Sequence, residues 1–152
     1  VQLATHNIQS NKSLNDNIVA MQLYWGNKSH INNVLDKLQH IPPKPDSKPI
    51  DSNTSNKRFD YIILADVVAL VYTNAFDSLI ETLDQLAGSK NTVIYLCYQK
   101  RHVSENAFFN KLEDSGRYLV NKLPRSVIHQ DFKHRPIFIY EIRLNGSTGS
   151  EV

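Results

Sequence analysis

Cysteine occurs once in this 152-residue chain, at Cys97, so no disulfide closes within it and a reducing compartment is the simplest setting. The cytoplasm is expected, with the nucleus as a second option. That thiol lies in an apolar run (TVIYLCY, residues 92–98), where it reads as a core residue rather than a nucleophile. None of the six histidines stands in a His-x-x-x-His pair with a carboxylate between, so no metal site is expected. No serine occupies a G-x-S-x-G elbow. No apolar run reaches the roughly 18 residues of a membrane span, and no signal-peptide pattern is present, so no membrane partner is expected. Without such a signal the Asn-x-Ser sequons at Asn11, Asn27, Asn53 and Asn145 carry little weight. An excess of one charge is missing too. Seventeen Lys and Arg face fifteen Asp and Glu, a net +2, which does not suggest a dedicated nucleic-acid binder. The five glycines, at 26, 88, 116, 146 and 149, form no G-x-G-type loop.

What is present suits one globular domain with a real core: 41% of the residues are hydrophobic. Residues 1–12 read as a short or truncated helix. Residues 18–25 (IVAMQLYW) alternate Val19, Met21, Leu23 and Trp25 against smaller or polar neighbours, which predicts a strand ended by Gly26. Ile31, Val34, Leu35 and Leu38 recur at helical spacing. Residues 40–58 hold four prolines and almost nothing apolar, which predicts a flexible insertion within the domain.

Residues 59–101 read as a complete strand–helix–strand unit. The continuous apolar run Tyr61, Ile62, Ile63, Leu64, Ala65 predicts a strand covered on both faces, as in a parallel sheet. Thr73 is the expected N-cap of a helix whose stripe is Phe76, Leu79, Ile80, Leu83 and Leu86, with Gly88 as its stop. Residues 92–98 predict a second buried strand. Ser104 is the expected cap of a helix through Ala107, Phe108, Phe109 and Leu112 that ends at Gly116. Residues 118–123 and 136–144 predict two strands in an antiparallel hairpin, and residues 145–152 a disordered tail. The fold class is therefore α/β with a mostly parallel sheet. In such sheets ligands sit outside the carboxyl ends of the strands, which makes Asp66, just past residue 65, a candidate site residue. An Asp after a strand is ordinarily a turn residue, a Trp in an apolar strand ordinarily core, and Lys100, Arg101 and His102 ordinarily a solvated loop.

The joint order of these features resembles a known group. L-x-W-G closing a strand, F-D-Y-I-I-L-A-D-V-V, a helix, a strand ending in a basic cluster, S-E-N-A-F-F and a final hairpin are similar to the carboxyl-terminal portion of the methyltransferase-like protein-lysine methyltransferases. Those are class I, seven-strand, Rossmann-like enzymes dependent on S-adenosylmethionine, with sheet order 3-2-1-4-5-7-6 and strand 7 antiparallel. The resemblance covers nearly all of residues 1–144, a partial methyltransferase domain, and His6-Asn7-Ile8-Gln9-Ser10-Asn11 resembles the N-x-x-x-N helix after strand 2. It implies that Trp25 and Gly26 border the adenine of the cofactor. It implies too that Ala65 lets the cofactor approach the backbone, and that Asp66, first of a D-x-x-Y signature, holds the target lysine. The implied partner is a protein substrate with a target lysine.

Two departures from the pattern matter. Ala69 stands where the signature has its aromatic residue, and Tyr72, three residues on, is offset from that position. The glycine-rich loop and the ribose-binding acid of the family have no counterpart and would lie upstream of Val1, with strands 1 and 2. The expectation is a carboxyl-terminal fragment, inactive by itself and without measurable cofactor binding, whose 18–25 strand has no neighbour and whose 60–65 strand has a free edge. The alternative is a degenerate, non-catalytic module acting through protein binding. A nucleic-acid substrate is disfavoured, because D-V-V-A replaces the N/D-P-P-Y-like motif such enzymes often carry.

Overall fold

Apolar runs alternating with amphipathic stripes produce an α/β architecture in the computed structural model, which describes residues 1–11, 18–40, 58–88 and 90–146. The elements in chain order are α1 (Gln2–Ser10), α2 (Lys28–Gln39), β1 (Tyr61–Ala65), α3 (Phe76–Ala87), β2 (Val93–Gln99), α4 (Asn106–Asp114), β3 (Tyr118–Lys122) and β4 (Ile137–Leu144). Of the predicted insertion at 40–58, residues 41–57 lie outside the described residues, as do residues 147–152 of the predicted tail at 145–152.

The four strands form one sheet in the order β1-β2-β4-β3. β1 and β2 pair in parallel, Tyr61 beside Val93 through Ala65 beside Cys97. β4 is antiparallel to both its neighbours, pairing Gln99 with Ile137 and Tyr118 with Leu144. Three strands thus share one direction and β4 alone opposes them. The expected hairpin of β3 and β4 is present, and β4 is inserted between β2 and β3.

Helices α3 and α4 share one face of this sheet. Phe76, Leu79, Ile80 and Leu83 of α3 and Phe108, Phe109 and Leu112 of α4 pack with Ile94, Leu96 and Tyr98 of β2, Tyr118 of β3 and Ile142 of β4 in one core. Gly88 closes α3 in the left-handed region (φ 62°), which a residue without a Cβ reaches at no steric cost. Thr92, 2% exposed, then ties the turn, its Oγ1 lying 2.6 Å from Phe59 O and 2.7 Å from Ala87 O.

Four local expectations are corrected. Thr73 does not cap α3: residues Leu70–Ala75 wind as a 3-10 turn, and Thr73 contributes its carbonyl to the N–H of Phe76. Ser104 is not the capping acceptor: it lies in a 3-10 turn, Val103–Glu105, and its own N–H donates to His102 Nδ1 (3.2 Å). The predicted strand at 18–25 is absent, and Trp25 lies in a turn. The alternation is real, since Val19, Met21 and Leu23 line a cavity of about 330 Å³ with Val34 and Leu38 of α2 and with Phe59. A strand, however, exists through the ladder of a neighbour, and none of the described residues supplies one. Finally, β1 is not covered on both faces. Ile62 and Leu64 pack on the core, while Tyr61 is 64% and Ile63 76% exposed. A run of five apolar residues carries no period, so it cannot distinguish one buried face from two.

Candidate functional site

The geometry is set where β1 ends. Asp66 adopts φ 57°, a left-handed conformation that Asp tolerates better than most residues, and its N–H donates to Cys97 O at 2.8 Å. This extends the β1–β2 ladder by one bond and turns the chain out of the sheet. The Asp66 carboxylate is then met by Arg101, which follows β2. Arg101 donates from Nη1 to Oδ1 (2.8 Å) and from Nη2 to Oδ2 (2.7 Å), a two-pronged ion pair. The N–H of Gln99 lies 3.5 Å from the same Oδ1. These bonds, led by the guanidinium, hold the Asp66 carboxyl below the usual carboxylate value. Both side chains remain about half exposed, 48% for Asp66 and 49% for Arg101.

Behind this pair lies Glu105, fully buried, whose Oε2 accepts from the N–H of Arg101 at 3.0 Å. Its carboxylate fixes the backbone of the segment from which Arg101 reaches Asp66. Nearby Cys97 is half-buried, and burial pushes its thiol up, with the charge of Asp66 adding to the effect. A thiol raised in this way is a poor nucleophile.

The second candidate cluster surrounds Trp25 and Gly26. Gly26 has φ 74°, and a Cβ there would come within 3.1 Å of both Cβ and Oγ of Ser78, so conformation and space both call for glycine. Its N–H donates to Thr82 Oγ1 (2.8 Å), and that hydroxyl donates onward to Ser78 O (2.7 Å). The Trp25–Gly26 turn is thereby docked on α3. Asn27 starts α2 at once, its side chain accepting from the N–H of His30 at 3.0 Å. Trp25 meets Tyr72 edge-on, with ring centroids 5.5 Å apart at 74°. Both line a cavity of about 340 Å³ with Leu23, Tyr24, Ala75 and Ser78.

The structure thus brings Ala65 and Asp66 together at the carboxyl end of β1, and Trp25 and Gly26 together on α3. Neither Ala65 nor Asp66 lines the Trp25 cavity. Tyr72 turns to Trp25, and Ala69 contributes its carbonyl to the N–H of Tyr72 (2.9 Å). Sequence reasoning missed Arg101, Glu105 and Thr82. The first of these carried a signal, a basic cluster directly after a strand whose parallel neighbour ends in an acid. Among the described residues no group of three or more His, Cys, Asp or Glu could hold a metal ion, and no helix is long and apolar enough to cross a membrane.

A four-stranded sheet with this order, helices packed on it and an acid at the carboxyl end of a parallel strand are consistent with a methyltransferase-like fold. A family model described as lysine methyltransferase matches residues 46–115, which contain β1, α3, β2, α4 and Asp66. Over those residues the chain is similar to the lysine methyltransferase family, the resemblance read from its sequence. It is also 27% identical over 113 residues to a UPF0665 family protein of Schizosaccharomyces pombe. That alignment covers 74% of this chain but spans only 27% of the relative's length.

Proposed function

We propose that the chain is the carboxyl-terminal part of an S-adenosylmethionine-dependent protein-lysine N-methyltransferase. The observation that carries this reading is Asp66, a half-exposed carboxylate at the carboxyl end of the parallel strand β1, inside the segment similar to lysine methyltransferases. When bound, the cofactor supplies an activated methyl group on a sulfonium centre. The residues present fit its adenine end, because the Trp25 and Tyr72 rings border a cavity of about 340 Å³, enough for a flat heterocycle, beside the tight turn at Gly26. Ala65, ending β1 with a small side chain, would allow close approach to the backbone. Asp66 would hold the ammonium of the target lysine and orient it, and orientation is most of what an in-line transfer requires. The lysine must then lose its proton, since only the free amine is nucleophilic. Arg101 bonds both Asp66 oxygens, so the incoming lysine would share the carboxylate with it, using lone pairs that the guanidinium leaves open, or displace it from one oxygen.

Fragment status is part of the proposal. The edge of β1 opposite β2 has no partner among the described residues, and Tyr61 and Ile63 are exposed beside it. In the family order this is the place of strand 1. The reducing setting implied by one cysteine supports the cytoplasm. A second reading, a non-catalytic binding module, is favoured by Ala69 and by the engagement of Asp66 with Arg101.

Calorimetric titration with S-adenosylmethionine tests the choice. The chain alone should give no binding heat, whereas the longer parent should bind, and Trp25→Ala in that parent should weaken binding about tenfold or more. Tight binding by the chain alone would refute the need for an upstream half. A parent that binds no cofactor would leave the non-catalytic reading.

A further inference from the structure

The rim of the sheet around Asp66 is far more basic than the chain as a whole. Residues 99–102 and 122–136 carry six Lys and Arg against one acid, Asp131, although the net charge of the whole chain is only +2. The remainder of the chain therefore holds more acid than base. The fold brings these two segments side by side. The N–H of Lys100 donates to Pro136 O at 3.0 Å, and Gln99 pairs with Ile137 where β2 ends and β4 begins.

Arg125 holds the second segment in shape. Its guanidinium donates to the carbonyls of Lys133, Arg135 (3.0 Å) and Ile137 (3.2 Å), which orders a loop whose side chains at Lys133, His134 and Arg135 are exposed. Nearby acids do not neutralise them. Asp66 is taken by Arg101, Glu105 is buried, and Asp131 is 3.4 Å from His129. Lys100 rests on the neutral amide of Asn106 (3.0 Å), and Lys122 lies 3.9 Å over the ring of Phe138. Among the described residues, Lys100, Lys122, Lys133 and Arg135 have no carboxylate partner.

We propose that this rim is a docking surface for an acidic polypeptide segment, which presents a lysine to Asp66; the second clause rests on the methyltransferase reading. Carboxylates suit the surface because Arg and Lys held on an ordered loop gain charge-assisted bonds without much further loss of freedom. A nucleic acid suits it less. Its phosphates extend past a short basic patch, and the rest of the chain carries more acid than base.

The test is fluorescence anisotropy with the 152-residue chain at low ionic strength. The probe is a labelled peptide with one lysine flanked by glutamates. Its comparisons are the same peptide with glutamines and a single-stranded oligonucleotide. The glutamate peptide should bind about tenfold tighter than the glutamine peptide and weaken as salt rises, and the pair Lys133→Glu and Arg135→Glu should cost about tenfold more. The milder pair Lys133→Gln and Arg135→Gln should fall between, and keeps the test decisive if charge reversal disturbs the loop. Equal binding of the two peptides, no effect of either pair, or an oligonucleotide that binds tighter than the glutamate peptide would overturn the proposal. No methyl donor enters this assay. A chain that docks the acidic peptide while its parent fails to bind S-adenosylmethionine would keep the docking surface and remove the enzyme.

Discussion

Asp66 shows how a single residue serves both the fold and a candidate chemistry. Its N–H completes the β1–β2 ladder, and its carboxylate is held in the charged form by Arg101. The folded pKa lies below the ordinary value of 3.8. The ion pair therefore contributes its stability in full above the unfolded value, and loses it as pH falls through the folded one. Because both groups are half exposed, that contribution is small. Carboxyl carbon NMR should find Asp66 titrating below 3.8, and Arg101→Met should return its midpoint to the ordinary range. An unchanged midpoint in that variant would show that Arg101 is not the cause. A second residue-scale expectation concerns Thr82, whose hydroxyl accepts from the N–H of Gly26 at 2.8 Å. Thr82→Val keeps the shape but leaves the part-buried N–H of Gly26 without its acceptor, so it should lose about 1–2 kcal/mol in urea unfolding. Thr82→Ser, which restores the hydroxyl, should recover most of that loss, whereas a purely steric role would reverse the order, because Val keeps the buried methyl that Ser lacks. Such contacts are hard to read in a sequence, because Gly26 and Thr82 are distant in the chain and neither belongs to a periodic pattern.

At the scale of elements, legibility followed amphipathicity. The α3 stripe was readable residue by residue, and Phe76, Leu79, Ile80, Leu83 and Leu86 are all buried, because one helical face meets a sheet and the other meets water. Leu83, 1% exposed in the centre of that stripe, should cost about 2–5 kcal/mol when changed to Ala, as judged by thermal or urea unfolding. Val71→Ala, on the preceding 3-10 turn and 80% exposed, should stay within about 0.5 kcal/mol of the parent. Where an element depended on something other than its own period, the reading was weaker. Residues 18–25 have the alternation of a strand but no neighbour for its ladder among the described residues, and β1 has an unbroken apolar run that hid its exposed face. Asp66 was legible as a site candidate because strand ends in parallel sheets are where ligands bind. Its engagement by Arg101 was not, since the pairing needs the β1–β2 register, which brings Ala65 beside Cys97 and so sets the two loops together.

For the whole molecule, the decisive property is asymmetry across the sheet. Helices α3 and α4 cover one face, while on the other Tyr61 stacks on Tyr95 (6.4 Å, 10°) and Tyr95 reaches Glu141 at 3.3 Å. At the β1 edge this second face is apolar and open, with Ile63 76% exposed beside a row of backbone groups that lack a ladder partner among the described residues. An open apolar edge strand is a template for pairing with another chain. The isolated chain should therefore self-associate through β1 as its concentration rises, and sedimentation velocity should show the average sedimentation coefficient climbing. Ile63→Lys places a charge on that strand without touching the helix-covered core, so it should suppress the climb. Val71→Lys adds the same charge at an equally exposed site away from the sheet and should not. If Val71→Lys suppresses association as well as Ile63→Lys does, net charge rather than the free edge governs it, and β1 is not the surface at which the rest of a larger sheet would join.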